Sequence, residues 1–262
     1  MNQIPQVKVS VITVSFNAES TLTDCIRSVL NQCYENIEYI VVDGGSNDGT
    51  VDILKQFSND IDVVVSEKDH GIYDAMNKGV KIASGDVITF LNSDDIFSHA
   101  GVVKEAIELM CSKAGTELVF GDVQFFNDVK LVRHYSSARF KPWKLRFGWM
   151  PPHPGSFAKA SLYERYGYFN LSYKISADYD LFVRWLYVNK VSYLRLDDVL
   201  VYMSMGGVST SSLKSRLLLN SEIIRSCRSN GLYTNFLMLA LKIPFKVKEL
   251  LFLSSRGNGA AK

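Results

Sequence analysis

The order and period of the apolar runs predict an α/β fold, with a mostly parallel central sheet, helices on both faces and a helical tail. Three observations carry this. Short β-branched runs alternate with helical segments through the first hundred residues. The runs are almost continuously apolar, as strands covered on both faces must be. Polar residues follow three of them, at the strand ends where an open parallel sheet binds its ligand.

The strands are expected at "VSVITVSF" (9–16), "IEYIVV" (37–42), "IDVVVS" (61–66) and "DVITFL" (86–91). Between the first two, Leu22, Ile26, Val29, Leu30 and Cys33 share one helical face, with Ser20 or Thr21 available as a cap. Shorter helices fit "TVDILKQF" and "GIYDAMNKGVKIA", which gives a β-α-β-α-β-α-β series with crossovers on both faces. Farther along, "ELVFGDVQFF" reads as another strand, the aromatic-rich "RFKPWKLRFGWMPPHPGSF" as a long irregular loop, and "DLFVRWLYV" as a short amphipathic helix. No repeat or low-complexity linker divides the chain. It is expected to form one domain over residues 1–212 and a basic amphipathic helical tail over 213–262.

With 262 residues, 47% of them hydrophobic and 21% charged, the chain can bury a substantial core, which excludes disordered and collagen-like classes. A net charge of +2 is too mild for a nucleic-acid partner, yet the tail is basic: eight Lys or Arg stand against two Asp or Glu between Lys214 and Arg256. Four cysteines without a C-x-x-C pair, and an opening without a leader pattern, point to a reducing, cytoplasmic setting. The tail's longest apolar run, in "FLMLALKIPF", is well short of the roughly 18 residues needed to span a bilayer.

Asn17 follows the first strand, Asp43 the second, and Asp94 and Asp95 the fourth, so four polar groups converge on one edge of the sheet. Asp43, in "VVDGGSNDGT", also suits an ordinary turn. Adjacent carboxylates repel each other unless a cation or donor offsets them. A hard divalent ion, Mn²⁺ or Mg²⁺, takes one or two carboxylates and completes its shell with phosphate and water, so "NSDD" suggests a metal–diphosphate site.

Taken in order, "VSVITVSFNAESTLTDCIRSVLNQCYENIEYIVVDGGSNDGTVDIL", "GIYDAMNKG", "GVKIASGDVITFLNSDDIF" and "SADYDLFVRWL" resemble a family 2 inverting glycosyltransferase with the Rossmann-like GT-A fold. The similarity covers about residues 7 to 210 and is nearest to bacterial transferases of O-antigen, colanic acid and other surface polysaccharides. It implies that Thr13 and Asn17 line the nucleotide pocket, that Asp43 bonds the base, usually uracil, and that Asn77 and Lys78 face the nucleotide-sugar. It further implies that Asp94 faces the ribose and diphosphate, that Asp95 is the metal ligand, and that Asp178 is the general base. Two positions depart from the family pattern: Ala177 replaces the Glu before the base, and Met76 replaces an Arg, leaving Lys78 or Lys68 to supply that charge.

Other features carry two readings each. Asp178 also suits a helix cap, a reading compatible with the catalytic one. His153 is a candidate contact to the acceptor or the diphosphate, or a solvated loop histidine. Ser209 or Thr210 in "SMGGVST" is placed to close over the diphosphate, or to form a plain turn. Trp143, Phe147 and Trp149, interleaved with Lys141, Lys144 and Arg146, suit a sugar- or lipid-facing wall, or core. The tail, with Lys242, Lys246 and Lys248 among Leu and Phe, suits an anionic membrane surface or a partner subunit. The expected activity is transfer of a sugar from a UDP-sugar to a lipid-linked (undecaprenyl-diphosphate) saccharide at the inner face of the cytoplasmic membrane. Two rivals are a sugar-phosphate nucleotidyltransferase and a non-catalytic nucleotide-sugar-binding component of an assembly complex. Against the first, "FNAESTL" offers neither glycine nor a cation after strand one; against the second, both Asp95 and Asp178 are present.

Overall fold

The computed structural model describes residues 7–127, 130–205 and 213–242. Its first half follows the expected series: β1 (Val9–Ser15), α1 (Leu22–Leu30), β2 (Ile37–Asp43), α2 (Thr50–Gln56), β3 (Val63–Ser66), α3 (Ile72–Ile82) and β4 (Val87–Phe90). β1 pairs in parallel with both β2 and β4, and β2 with β3. The register aligns Ser15 with Asp43 and Asp43 with Ser66, so these three side chains end their strands side by side.

The alternation of the strands explains the two-sided core. Val9 and Val11 of β1 and Tyr39 and Val41 of β2 pack with α1, α2 and α4 (Val102–Ser112). Ile12, Val14, Ile40 and Val42 pack on the other face with α3. Gly79 of α3 permits that contact, because a Cβ there would lie 2.5 Å from the Ile12 side chain.

Beyond β4 the sheet becomes mixed. It runs on through β8 (Ser156–Lys159), β6 (Leu118–Asn127), β9 (Tyr193–Ser204) and β5 (Asp95–Phe97), while β7 (Lys130–Tyr135) pairs with β6 alongside β8. β8 is antiparallel to both β4 and β6, whereas β9 is parallel to β6 and antiparallel to β5. The segment expected as irregular loop contains a 3₁₀ turn at Pro142–Phe147 and then β8. The single helix expected over "DLFVRWLYV" is α6 (Ala177–Phe182) continued by a wider π turn, Val183–Val188. Between these elements lies α5 (Ser161–Tyr166).

The start of the tail packs as part of the same body. α7 (Leu213–Ser229) contributes Ile223, Ile224 and Cys227 to the core, and α8 (Phe236–Ala240) contributes Leu239. Residues 243–262, with Lys246 and Lys248, lie outside the described residues. All four cysteines are free, and no described helix is long and apolar enough to cross a membrane.

Candidate active site

The carboxyl ends of β1 to β4 meet at one edge, held together by side chains from the loops. Asp43 is fully buried and accepts from the Ser66 hydroxyl at 2.7 Å, the Ser46 amide at 3.1 Å and the Gly45 amide at 3.2 Å. The Ser46 hydroxyl also donates to Asp43 and accepts the Asn17 N–H at 2.8 Å. Asn17, at a left-handed φ of 50° that Asn tolerates, returns a bond by accepting the Asn47 N–H at 3.0 Å. The β1 and β2 loops thus form one rim. The β3 loop joins it at Gly44, where a Cβ would sit 2.4 Å from Asp69 Oδ2.

The acidic turn closes against the end of β9. Leu91 and Ser93 donate their N–H groups to Ile12 and Val14, keeping the turn beside β1, and the Ser204 hydroxyl donates to the Asp94 carbonyl at 2.8 Å. Asp95 begins β5 and is only 1% exposed; Asn92 Nδ2 donates to its Oδ2 at 3.0 Å. Burial, helped by the charge of Asp94, holds the Asp95 carboxyl well above the usual carboxylate range. Asp94 is more exposed, although partial desolvation still raises its carboxyl. Asn92 Oδ1 is buried without a partner. A buried carboxylate with little to offset its charge, a second carboxylate beside it and an orphaned amide oxygen are hard oxygen donors that fit a divalent cation.

An aromatic floor connects this turn to Asp178. Phe90, at the end of β4, packs on His153 at 5.1 Å and on Phe169 at 5.5 Å between ring centroids. Phe169 in turn stacks on Tyr73 at 5.7 Å. The Tyr73 hydroxyl reaches the Ile175 carbonyl at 2.6 Å and Asp178 Oδ1 at 3.2 Å. Asp178 opens α6, and its Oδ1 also accepts the Tyr179 N–H at 2.8 Å. Burial raises its carboxyl to about 6, against the lowering effect of these donors.

Asp180, two residues on, has a different occupation. Its carboxylate pairs with Arg184 at 2.9 Å and accepts from Ser226 and Asn230, which ties α6 to α7.

Asn17 and Asp43 thus share one rim at the strand ends, the Asp94–Asp95 turn lies beside β1, and ring contacts through His153, Phe169 and Tyr73 run from the end of β4 to Asp178. Thr13 points the other way, fully buried beneath α1 with its hydroxyl 3.1 Å from that of Tyr39. The Asn77 amide makes a reciprocal pair with the backbone of Phe169, at 2.9 Å in each direction, and stays within the fold. Lys78 is engaged by Glu67 at 2.8 Å and Asp74 at 3.6 Å. His153 is packed among Phe90, Phe169 and Phe182, and burial lowers its imidazole to about 4, so it is neutral near pH 7. Ser209 and Thr210 lie outside the described residues.

Two residues that act on the Asp178 carboxyl escaped the sequence reading. Tyr73 lies inside the quoted "GIYDAMNKG". Glu222 is the single acid among four cations of α7, and a lone acid on a basic helix was the available signal.

A sheet with parallel strands β1 to β4 opening onto an acidic pair, and with helices on both faces, is the GT-A arrangement of nucleotide-sugar glycosyltransferases. The profile described as Glycosyl transferase family 2 matches residues 10–171, and the chain belongs to that family. An uncharacterized glycosyltransferase of Mycobacterium tuberculosis (strain H37Rv) is 39% identical over 180 residues, which is 67% of this chain and 68% of the relative. Among solved structures, Staphylococcus aureus TarS 1-349 in complex with UDP-GlcNAc superposes with a TM-score of 0.67 at 19% identity, covering 89% of this chain and 70% of TarS 1-349. The mannosyltransferase PcManGT from Pyrobaculum calidifontis, in complex with GDP-Man and Mn²⁺, superposes with a TM-score of 0.64 at 14% identity, covering 98% of this chain and 76% of PcManGT. These two likenesses are likenesses of fold.

Proposed function

We propose that this glycosyltransferase moves a sugar, with inversion, from a UDP-sugar to a hydroxyl of a lipid-linked saccharide in surface polysaccharide synthesis. The observation that carries the proposal is Asp178, a carboxyl poised at about 6 and joined through the aromatic floor to the acidic turn. At neutral pH it is ionised, yet basic enough to take a proton from an incoming hydroxyl. As that proton passes to Asp178, the hydroxyl oxygen bonds to the anomeric carbon. The bond from that carbon to the phosphate oxygen breaks, and its electron pair leaves with the diphosphate.

Asp95 would hold Mn²⁺ or Mg²⁺, with Asp94 beside it; the ion, when bound, supplies charge neutralisation to the departing diphosphate. Asn17 and Asp43 form the rim we assign to the nucleotide, and His153, neutral and buried among Phe90, Phe169 and Phe182, would serve through the aromatic floor without adding charge. TarS bound to UDP-GlcNAc and PcManGT bound to GDP-Man and Mn²⁺ support a nucleotide-sugar and a metal on this fold.

The acceptor assignment rests on the apolar face near the described end of the chain. Leu237 of α8 is 75% exposed, Phe236 and the C-cap residue Leu241 are exposed as well, and Leu239 between them is buried. The Pro142–Phe147 turn packs against α8 and exposes Trp143, with Lys144 over its ring. Apolar side chains bordered by Lys144 and Lys242 suit an anionic bilayer, from which a lipid-linked saccharide is reached.

The deciding experiment is a screen of nucleotide-sugars for release of the nucleoside diphosphate, with Mn²⁺ and then with EDTA. Release of UDP from one UDP-sugar, lost on chelation, is expected. No release from any donor in the presence of metal would remove the proposal.

A further inference from the structure

Asp178 and the strip that leads to it lie just beyond the residues matched by the family profile, and the strip is pinned by a side chain from α7. Glu222, on α7, is 5% exposed, and its carboxylate accepts four bonds from the strip leading into α6. These come from the Lys174 N–H at 2.8 Å, the Ile175 N–H at 3.0 Å, and the Ser176 N–H and hydroxyl at 3.1 Å each. From the opposite side, the Tyr73 hydroxyl grips the Ile175 carbonyl and reaches Asp178 Oδ1. Three consecutive amides and one carbonyl are thus fixed immediately before the carboxylate.

We propose that Glu222 and Tyr73 are positioning residues for Asp178: α7 anchors the backbone that presents the base, and Tyr73 sets which carboxylate oxygen is free to work. The Tyr73 hydroxyl and the Tyr179 N–H both meet Oδ1, which leaves Oδ2 as the oxygen we assign to the acceptor hydroxyl. The inference rests on Asp178 being the base.

The two neighbours act on the proton affinity of Asp178 with opposite signs. The Tyr73 hydroxyl stabilises the ionised carboxylate, while the negative charge of Glu222 opposes it; the Tyr179 N–H acts in the same sense as Tyr73. A support that only kept the chain folded would not separate in this way.

The test uses the full chain with Mn²⁺ and the UDP-sugar that the donor screen shows to be turned over. Tyr73→Phe keeps the stack on Phe169 and removes only the hydroxyl; Glu222→Gln keeps the shape and removes the charge. Each is expected to lower kcat by about tenfold while the donor KM stays within about twofold, since the loss falls on the proton-transfer step. The acid limb of the pH–kcat profile is expected to move up in Tyr73→Phe and down in Glu222→Gln. Unmoved profiles, or losses of kcat that only track a lower Tm, overturn the inference. Should Glu222→Gln not fold, Tyr73→Phe alone still decides through its upward shift. Asp178→Asn, assayed in parallel, separates the two levels. If it retains turnover, the base assignment falls and the inference with it; if it is inactive while both profiles stay still, the inference alone falls.

Discussion

Asn92 and Asp95 lock the acidic turn onto itself: the Asn92 amide nitrogen donates to Asp95 Oδ2 at 3.0 Å, and the Asn92 amide oxygen is left buried and unpaired. This donor and the backbone of Ser204 do not outweigh the burial of the carboxylate beside another acid, and its proton affinity stays raised. Ionising the turn is therefore electrostatically costly, a cost that a proton or the proposed cation would relieve.

Because the folded-state value of Asp95 is raised, the stability it contributes is present at acid pH and is lost as pH rises. Asp95→Asn should thus raise the Tm of metal-free protein at pH 7, by roughly 2–4 °C for each kcal/mol relieved. The same variant should lose the Tm increase that Mn²⁺ and UDP together give the unmodified chain. Thermal scans with and without Mn²⁺ check both halves.

Asp178→Asn should lower turnover by about 10² to 10⁴, the usual contribution of a general base, while leaving UDP binding in place. Turnover of the unmodified chain should rise with pH through about 6, where the Asp178 carboxyl gives up its proton. Stability runs the other way: a raised carboxyl contributes stability below its unfolded value, and this is lost as pH rises through about 6. Titration calorimetry with UDP and a pH–rate series are the measurements.

Asp180 should behave as a structural residue although it stands two positions from Asp178, the proposed base. Its carboxylate links Arg184, Ser226 and Asn230, and Arg184 also donates to the carbonyls of Tyr166, Gly167 and Tyr168. Breaking a buried pair by removing one member typically costs about 3–5 kcal/mol. Asp180→Ala should therefore lower the urea midpoint strongly, and whatever protein remains folded should keep the acid limb near pH 6.

The contrast between these two acids shows what was legible in the sequence. β1 to β4 and the helices between them could be read because apolar runs and amphipathic faces are local patterns, and the order of strands then brings Asn17, Asp43 and the Asp94–Asp95 pair to one edge. β5 and β8 have only three and four residues, and their partners lie far away in sequence, so no local period marks them. The inward turn of Thr13 follows from strand alternation, while the pairing of Asn77 with Phe169 and of Asp180 with α7 depends on side-chain bonds across long separations. Asp178 itself was legible through the resemblance, but the grip of Tyr73 and Glu222 on its strip was not.

Membrane attachment is best tested by point substitution. Truncation after about residue 235 would remove Leu239 from the core as well as the exposed face, so that lost binding and lost folding would be confounded. Leu237 is three-quarters exposed, and Trp143 is 54% exposed on the turn that packs against α8. Leu237→Glu and Trp143→Ser should each leave the Tm within about 2 °C, as exposed substitutions usually do. They should nevertheless weaken flotation with vesicles containing anionic phospholipid, Leu237→Glu more so because it replaces an apolar contact with a repelled charge. Raising the salt should weaken the unmodified protein's binding as well, since Lys144 and Lys242 contribute through screened charge. Equal flotation of all three proteins at low salt would detach this face from the membrane.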